Sequence, residues 1–249
     1  MNTVILDARP RAAYEAGHLE GAIHADLETQ LSAKGDPAQG GRHPLPPVER
    51  WLAQLEEWGI TPATHVVVYD DADGANAAAR VWWMLRAVGH ENVEVVTDWR
   101  NVGRGFSPPA PGGGGLKPRP TSWQLPTVTI DEVDRLRNDP SWRVLDVRSR
   151  ERFRGETEPI DPVAGHIPGA VNLPYTDNTG KSPEELRAMY EELLGDVPPE
   201  RLIVHCGSGV TACHTLLALD RAGLHGAALY VGSWGEWCRN DRPIGKQSR

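Results

Sequence analysis

"RLIVHCGSGVTACHTLLALDRAGLHGAALYV", residues 201–231, reads as a buried strand, a short loop, an amphipathic helix, a glycine near the helix end and a second strand. The same order stands at residues 65–96, "HVVVYDDADGANAAARVWWMLRAVGHENVEVV". Upstream of each block lies a second repeated pattern, at 4–27 in "VILDARPRAAYEAGHLEGAIHADL" and at 143–175 in "RVLDVRSRERFRGETEPIDPVAGHIPGAVNLPY". Both give an apolar strand, Asp-x-Arg, a short helix with an aromatic, Gly-His, then Gly-Ala and another strand. The chain is therefore an internal duplication. Short apolar strands alternating with helical patterns predict parallel sheets with helices on both faces, an α/β fold in each half.

The segment 103–122, "GRGFSPPAPGGGGLKPRPTS", divides the halves, because four consecutive glycines hold neither helix nor strand. The expected organisation is a domain over 1–110, a Pro/Gly-rich linker over 111–122 and a second domain over 123–249. The second opens with "TVTIDEVDRLRNDPSW", residues 127–142, a strand and helix without counterpart in the first. In "KSPEELRAMYEELL" Ser182 is the expected N-cap and Pro183 the first helical residue, with Glu184 and Glu185 in the first turn where the helix dipole favours acids.

Whole-chain properties exclude several classes. A net charge of −8 over 249 residues, with no basic run, opposes a nucleic-acid surface. No apolar stretch reaches the roughly 20 residues of a membrane span, and "MNTVILDARPR" lacks the pattern of a secretory leader. Three cysteines, at 206, 213 and 238, are too few for a disulfide framework and fit a reducing cytoplasm. None has zinc spacing with histidine, and no metal or cofactor is expected.

Ligands of open α/β sheets bind beyond the carboxyl ends of the strands, where Cys206 lies. In "CGSGVT", residues 206–211, Gly207 and Gly209 let successive amides turn into one concavity, and the helix starting near Thr211 adds its positive end. Hydroxyls of Ser208 and Thr211 can donate to the same space. Such a loop suits a nucleophilic sulfur that carries and releases an anionic group. The competing reading is a small buried hydrophobe, the usual fate of free cysteine. The duplicate position favours chemistry, for it is Asp70, and a packing cysteine would rarely have an acid as its twin.

The segments "LDVR", "GHIPGA" and "HCGSGVTA", their order, and a first half without the cysteine resemble the tandem-domain rhodanese family of sulfurtransferases. That resemblance implies two rhodanese-like domains, the first inactive, and a Cys206 persulfide that passes sulfur from a donor to a thiol, cyanide or thioredoxin-like acceptor. It implies a substrate site of Arg152, Gly207, Ser208, Gly209, Val210 and Thr211. "CGSGVT" is similar to the loop of mercaptopyruvate-preferring members, whereas thiosulfate-preferring members resemble "CRKGVT". A second arginine of the mercaptopyruvate enzymes corresponds to Ile160, which leaves thiosulfate as the alternative donor unless Arg150 or Arg154 substitutes. The resemblance also implies Asp146 as a support for the loop and His18 as a partner of Ser208 in proton transfer.

Other readings compete. Asp146 and Arg148 recur as Asp7 and Arg9, so a structural ion pair accounts for them equally well. His166 recurs as His18 and suits a turn-holding role. His205 is expected to be packed or bonded, since adjacent strand residues point to opposite faces. Cys213, two helical turns or about 10 Å from Cys206, is expected in the core, and Cys238 among its tryptophans. A phosphatase of related shape needs an arginine closing a longer loop, and Ala212 stands there instead. A non-catalytic binding module is the remaining alternative.

Overall fold

The computed structural model describes residues 2–99 and 120–246. The linker expected over 111–122 lies outside them except for its last three residues. The chain forms two units, Met1–Ala33 with Leu45–Leu125, and Lys34–Pro44 with Pro126–Arg249.

Unit 1 contains β1 (Thr3–Asp7), α1 (Arg11–Ala16), β2 (Ile23–His24), α2 (Val48–Glu57), β3 (His65–Tyr69), α3 (Ala77–Arg86) and β4 (Val93–Val96). Its strands pair in parallel in the order β2-β1-β3-β4. Every residue of β3 is buried, as expected for a strand covered on both faces.

Unit 2 repeats the plan and, among the described residues, adds one helix at the start and one at the end. It runs α4 (Ile130–Leu136), β5 (Arg143–Asp146), α5 (Arg150–Arg154), β6 (Val171–Asn172), α6 (Pro183–Leu194), β7 (Leu202–His205), α7 (Thr211–Arg221), β8 (Ala228–Leu229) and α8 (Ser233–Trp237). The parallel order is β6-β5-β7-β8. The strand expected ahead of α4 shrinks to one parallel bridge, Thr127 to Leu229, because Thr129 turns away at once to cap α4. A capping box also starts α6: Ser182 Oγ accepts from the Glu185 amide, and the Glu185 carboxylate accepts from the Ser182 amide at 2.7 Å.

Unit 2 closes over a core that includes Val133, Val144, Ile167, Ile203, Trp234 and Trp237. Each such side chain contributes about 1.5–3 kcal/mol by leaving water. Cys238 packs into this core, and Cys213 is fully buried on α7.

From β5 the chain crosses to β6 on one side, and from β7 to β8 on the other. The carboxyl ends of β5 and β7 therefore flank a switch point, where crossovers diverge and leave a crevice. Asp146 pairs in register with His205, so the residues that follow both strands, including Cys206, meet there.

The sequence division places 34–44 in the first domain, but this segment packs within unit 2. Gly40 N–H donates to Glu236 Oε1 at 2.8 Å, Asn240 Nδ2 to the Ala38 carbonyl at 3.0 Å, and Arg42 Nε to Asp161 Oδ1 at 3.1 Å. Gly41 has φ +80°, and a Cβ there would stand 2.4 Å from the Gly232 carbonyl oxygen.

Candidate active site

Cys206 follows β7 directly and is 2 % exposed. Its Sγ accepts from the amides of Gly209 at 3.1 Å and Ser208 at 3.5 Å. Gly209 makes this curl possible with φ +74° and no room for a side chain, since a Cβ would lie 2.5 Å from the Val231 carbonyl oxygen. Val210 is the N-cap of α7 and Thr211 its first residue, so the helix dipole also points toward the loop. Cys213 secures the far side by donating from Sγ to the Gly209 carbonyl at 3.3 Å.

A second turn holds the loop backbone from behind. The amides of Trp234 and Gly235 donate to the carbonyls of Cys206 and Gly207 at 3.0 and 2.9 Å. Ser233 Oγ accepts from the Cys206 amide at 3.2 Å and donates to the Tyr230 carbonyl at 2.9 Å. Ser233 adopts φ 55°, a left-handed geometry uncommon for a side-chain-bearing residue and sustained here by these bonds. Nothing in "GSWGEW", residues 232–237, signals this turn in the sequence.

The unit 1 loop shows what such a concavity favours. Asp70 Oδ1 accepts from the amides of Ala72 at 2.9 Å and Gly74 at 2.8 Å, and Oδ2 from those of Asn76 and Ala78, both at 3.1 Å. Four amides thus close around a built-in carboxylate, which fills the space a ligand would need. The duplicated turn gathers N–H groups around one point, occupied in unit 1 by the Asp70 carboxylate and in unit 2 by the Cys206 sulfur.

Cations surround the cysteine. Arg148 grips Asp146 through Nε to Oδ1 at 3.0 Å and Nη2 to Oδ2 at 2.6 Å, and reaches Glu158 Oε2 with Nη1 at 3.1 Å. Burial alone would lower the Arg148 pKa, but Asp146, then Glu158 and the Cys206 sulfur, raise it instead. Glu158, 2 % exposed, also takes Arg152 in bidentate fashion, at 2.6 Å to Nη2 and 3.1 Å to Nε. Burial would push the Glu158 carboxyl up, and Arg152 with the backbone amides of Asp161 and Ile160 holds it below the usual range. Arg152 is thereby aimed at Gly207: its Nη2 lies 3.3 Å from where a Cβ on that glycine would sit.

The other expected residues are placed as follows. Asp146 spends its hydrogen bonds on Arg148, and Arg9 holds Asp7 in the same way, with Nη2 to Oδ2 at 2.6 Å. His205 is fully buried, its Nδ1 3.2 Å from the Cys206 carbonyl oxygen. Burial lowers its pKa despite Asp146 nearby, so the imidazole is neutral at pH 7. His166 stacks on Phe153 at 4.0 Å and contacts the Phe153 carbonyl through Nδ1 at 2.8 Å, holding the turn. His18, in unit 1, is exposed, stacks on Tyr14 at 4.0 Å and sets Nδ1 2.9 Å from the Tyr14 carbonyl oxygen. Ile160 is 54 % exposed. Arg150 pairs with Asp177 at 2.7 Å and Arg154 with Glu156 at 3.0 Å, so both are committed elsewhere. Among the described residues no group of three or more His, Cys, Asp or Glu side chains could hold a metal ion.

Residues 1–98 and 129–240 both match the rhodanese-like domain. The chain belongs to the rhodanese family. Human 3-mercaptopyruvate sulfurtransferase is 36% identical over 249 residues, covering 94% of this chain and 81% of that one. Rat thiosulfate sulfurtransferase is 34% identical over 252 residues, with coverage of 94% and 81%. The structure of 3-mercaptopyruvate sulfurtransferase from Leishmania major superposes with a TM-score of 0.77 at 29% identity, covering 96% of this chain and 70% of that one.

The two glycines of the rhodanese loop should respond differently to alanine. At Gly209 the methyl group meets backbone at positive φ, so Gly209→Ala is expected to lower stability by about 1–3 kcal/mol. At Gly207 the methyl would meet only guanidinium ends, 2.9 Å from Arg42 Nη2 and 3.3 Å from Arg152 Nη2. Gly207→Ala should keep stability within about 1 kcal/mol of wild type. Its kcat/KM should nevertheless fall about tenfold, the effect of roughly 1.4 kcal/mol on the barrier. Urea titrations and steady-state kinetics on both variants check this.

Proposed function

We propose that this rhodanese is a cytoplasmic sulfurtransferase in which Cys206 takes sulfur from 3-mercaptopyruvate and delivers it to a thiol, cyanide or thioredoxin-like acceptor. The observation that carries the reading is the pair of amides, from Ser208 and Gly209, directed at Sγ. They stabilise an anionic sulfur both before and after it gains a second one.

In the proposed step the Cys206 thiolate attacks the donor sulfur. A sulfur–sulfur bond forms, the carbon–sulfur bond breaks, and its electron pair departs as the enolate of pyruvate. The proton of the donor thiol ends on the enolate carbon, leaving pyruvate and the Cys206 persulfide. An acceptor thiolate or cyanide then attacks the outer sulfur and restores the Cys206 thiolate. The amides of Gly207 to Thr211 cradle the outer sulfur in this scheme, and Ser208, 7 % exposed, provides a hydroxyl for the donor carbonyl. The bare Gly207 supports the carbonyl acid over thiosulfate, since a long cationic side chain at 207 would compete with Arg42 and Arg152 for the same space.

Thiosulfate is the second reading. It is favoured by the exposed Ile160, and with it sulfite would leave in place of pyruvate. Comparison of kcat/KM for the two donors decides between them. Mercaptopyruvate is expected to win by about tenfold or more, a difference of at least 1.4 kcal/mol. Equal values or a preference for thiosulfate would overturn the donor assignment.

A further inference from the structure

Arg42 belongs to none of the family positions carried over above, yet its guanidinium stands beside the nucleophilic loop. The strap 34–44 brings it there. Gly40 is tied to Glu236, Ala38 to Asn240, and Gly41 lies against the Gly232 backbone. Arg42 Nε then donates to Asp161 Oδ1 at 3.1 Å, and Nη2 ends 2.9 Å from the Cβ position of Gly207. Arg152 Nη2 is 3.3 Å from that same point, so two guanidiniums converge directly above the residue next to Cys206. Both are partly open to solvent, at 22 % and 18 % exposure, and a small anion can reach them.

Charge points the same way. Asp161 has no exposed side-chain surface, and it faces Arg42, Arg239 at 2.8 Å and Arg152 at 3.6 Å. With Asp146 and Glu158 added, three buried carboxylates face four arginines, 42, 148, 152 and 239. The fourth guanidinium offsets the Cys206 thiolate of the proposed mechanism, so an incoming carboxylate meets no net negative charge. Planar guanidiniums in a pair match a carboxylate in two-pronged fashion.

We infer that Arg42 is a substrate-binding residue: with Arg152 it forms a clamp for the carboxylate of an α-keto thiol, taking the place left by the exposed Ile160. This rests on the mercaptopyruvate reading. It also gives a reason for glycine at 207, where any side chain would occupy the clamp.

Two donors separate the clamp from a structural role. One is 3-mercaptopyruvate. The other is 1-mercaptopropan-2-one, which keeps thiol and ketone but has a methyl group in place of the carboxylate. In Arg42→Leu, KM for mercaptopyruvate should rise by about tenfold or more, as for loss of one charge-assisted contact. The kcat/KM for mercaptopropanone should stay within about twofold of wild type, and this activity itself reports that the variant is folded. Equal losses on both donors would make Arg42 a mere prop for Asp161, and no loss on either would leave it without contact; both results overturn the clamp alone. A wild-type enzyme that does not prefer mercaptopyruvate over mercaptopropanone would overturn the clamp together with the donor assignment.

Discussion

Cys206→Ala is expected to reduce sulfur transfer by roughly four orders of magnitude or more, because the atom that forms the new bond is gone. The structure separates this loss from any loss of fold. Sγ accepts two amide bonds, and its removal leaves those buried donors unpaired at about 1–3 kcal/mol each, in a loop otherwise held by Ser233, Trp234 and Gly235. The variant should therefore be less stable yet still folded, which urea unfolding reads separately from activity. Mass spectrometry after incubation with mercaptopyruvate provides the direct reading: wild type gains about 32 Da, and Cys206→Ala gains nothing. Cys213→Ala and Cys238→Ala should both retain the adduct. Cys213 is buried and committed to the Gly209 carbonyl, while burial pushes the Cys238 thiol up and keeps it protonated. An adduct that persists in Cys206→Ala would place the sulfur carrier on another residue and end the proposed mechanism.

What could be read from the sequence was whatever repeats or follows local rules. The duplicated strand–loop–helix blocks gave both parallel sheets, the Ser182 capping box gave the start of α6, and Asp70 opposite Cys206 separated the two loops. Contacts between distant segments left no such trace. Arg42 and Asp161 are 119 positions apart, and nothing in "GGRHPLP" announces an arginine delivered to a cysteine loop. Glu158 and Asp161 sit in the irregular stretch "ETEPID", where no periodicity marks them, yet they orient Arg152 and Arg42. Ser233 was hidden for another reason: its left-handed backbone is a property of the folded turn, and serine carries no preference that signals it. The recurrence of Asp146 and Arg148 as Asp7 and Arg9, by contrast, is visible in the sequence, and both pairs form ion pairs in the structure.

That pair carries the largest expected stability effect. Asp146 is fully buried and accepts from three donors of Arg148: the backbone amide at 3.0 Å, Nε at 3.0 and 3.1 Å to its two oxygens, and Nη2 at 2.6 Å. Removing one member of such a pair leaves an uncompensated buried charge, at a cost of roughly 3–5 kcal/mol. Asp146→Ala should lose that much in urea unfolding, a large part of the 5–15 kcal/mol, roughly, that hold a domain together. Burial alone would raise the Asp146 pKa, but Arg148, with His205 assisting, holds it below the usual carboxylate value. Because folding lowers this pKa, the stabilisation is complete above about pH 4, where the unfolded carboxyl is ionised, and drains as pH falls through the lower folded value. Wild type should therefore lose stability below about pH 4 more steeply than Asp146→Asn, which has no carboxyl there to protonate. Function should follow at one remove, since Arg148 and Arg152 share Glu158, and a loosened Arg148 frees Arg152 to drift from Gly207. KM for the donor should then rise more than kcat falls. A loss under about 1 kcal/mol in Asp146→Ala, with an unchanged acid profile in Asp146→Asn, would mean that Glu158 alone suffices to hold Arg148.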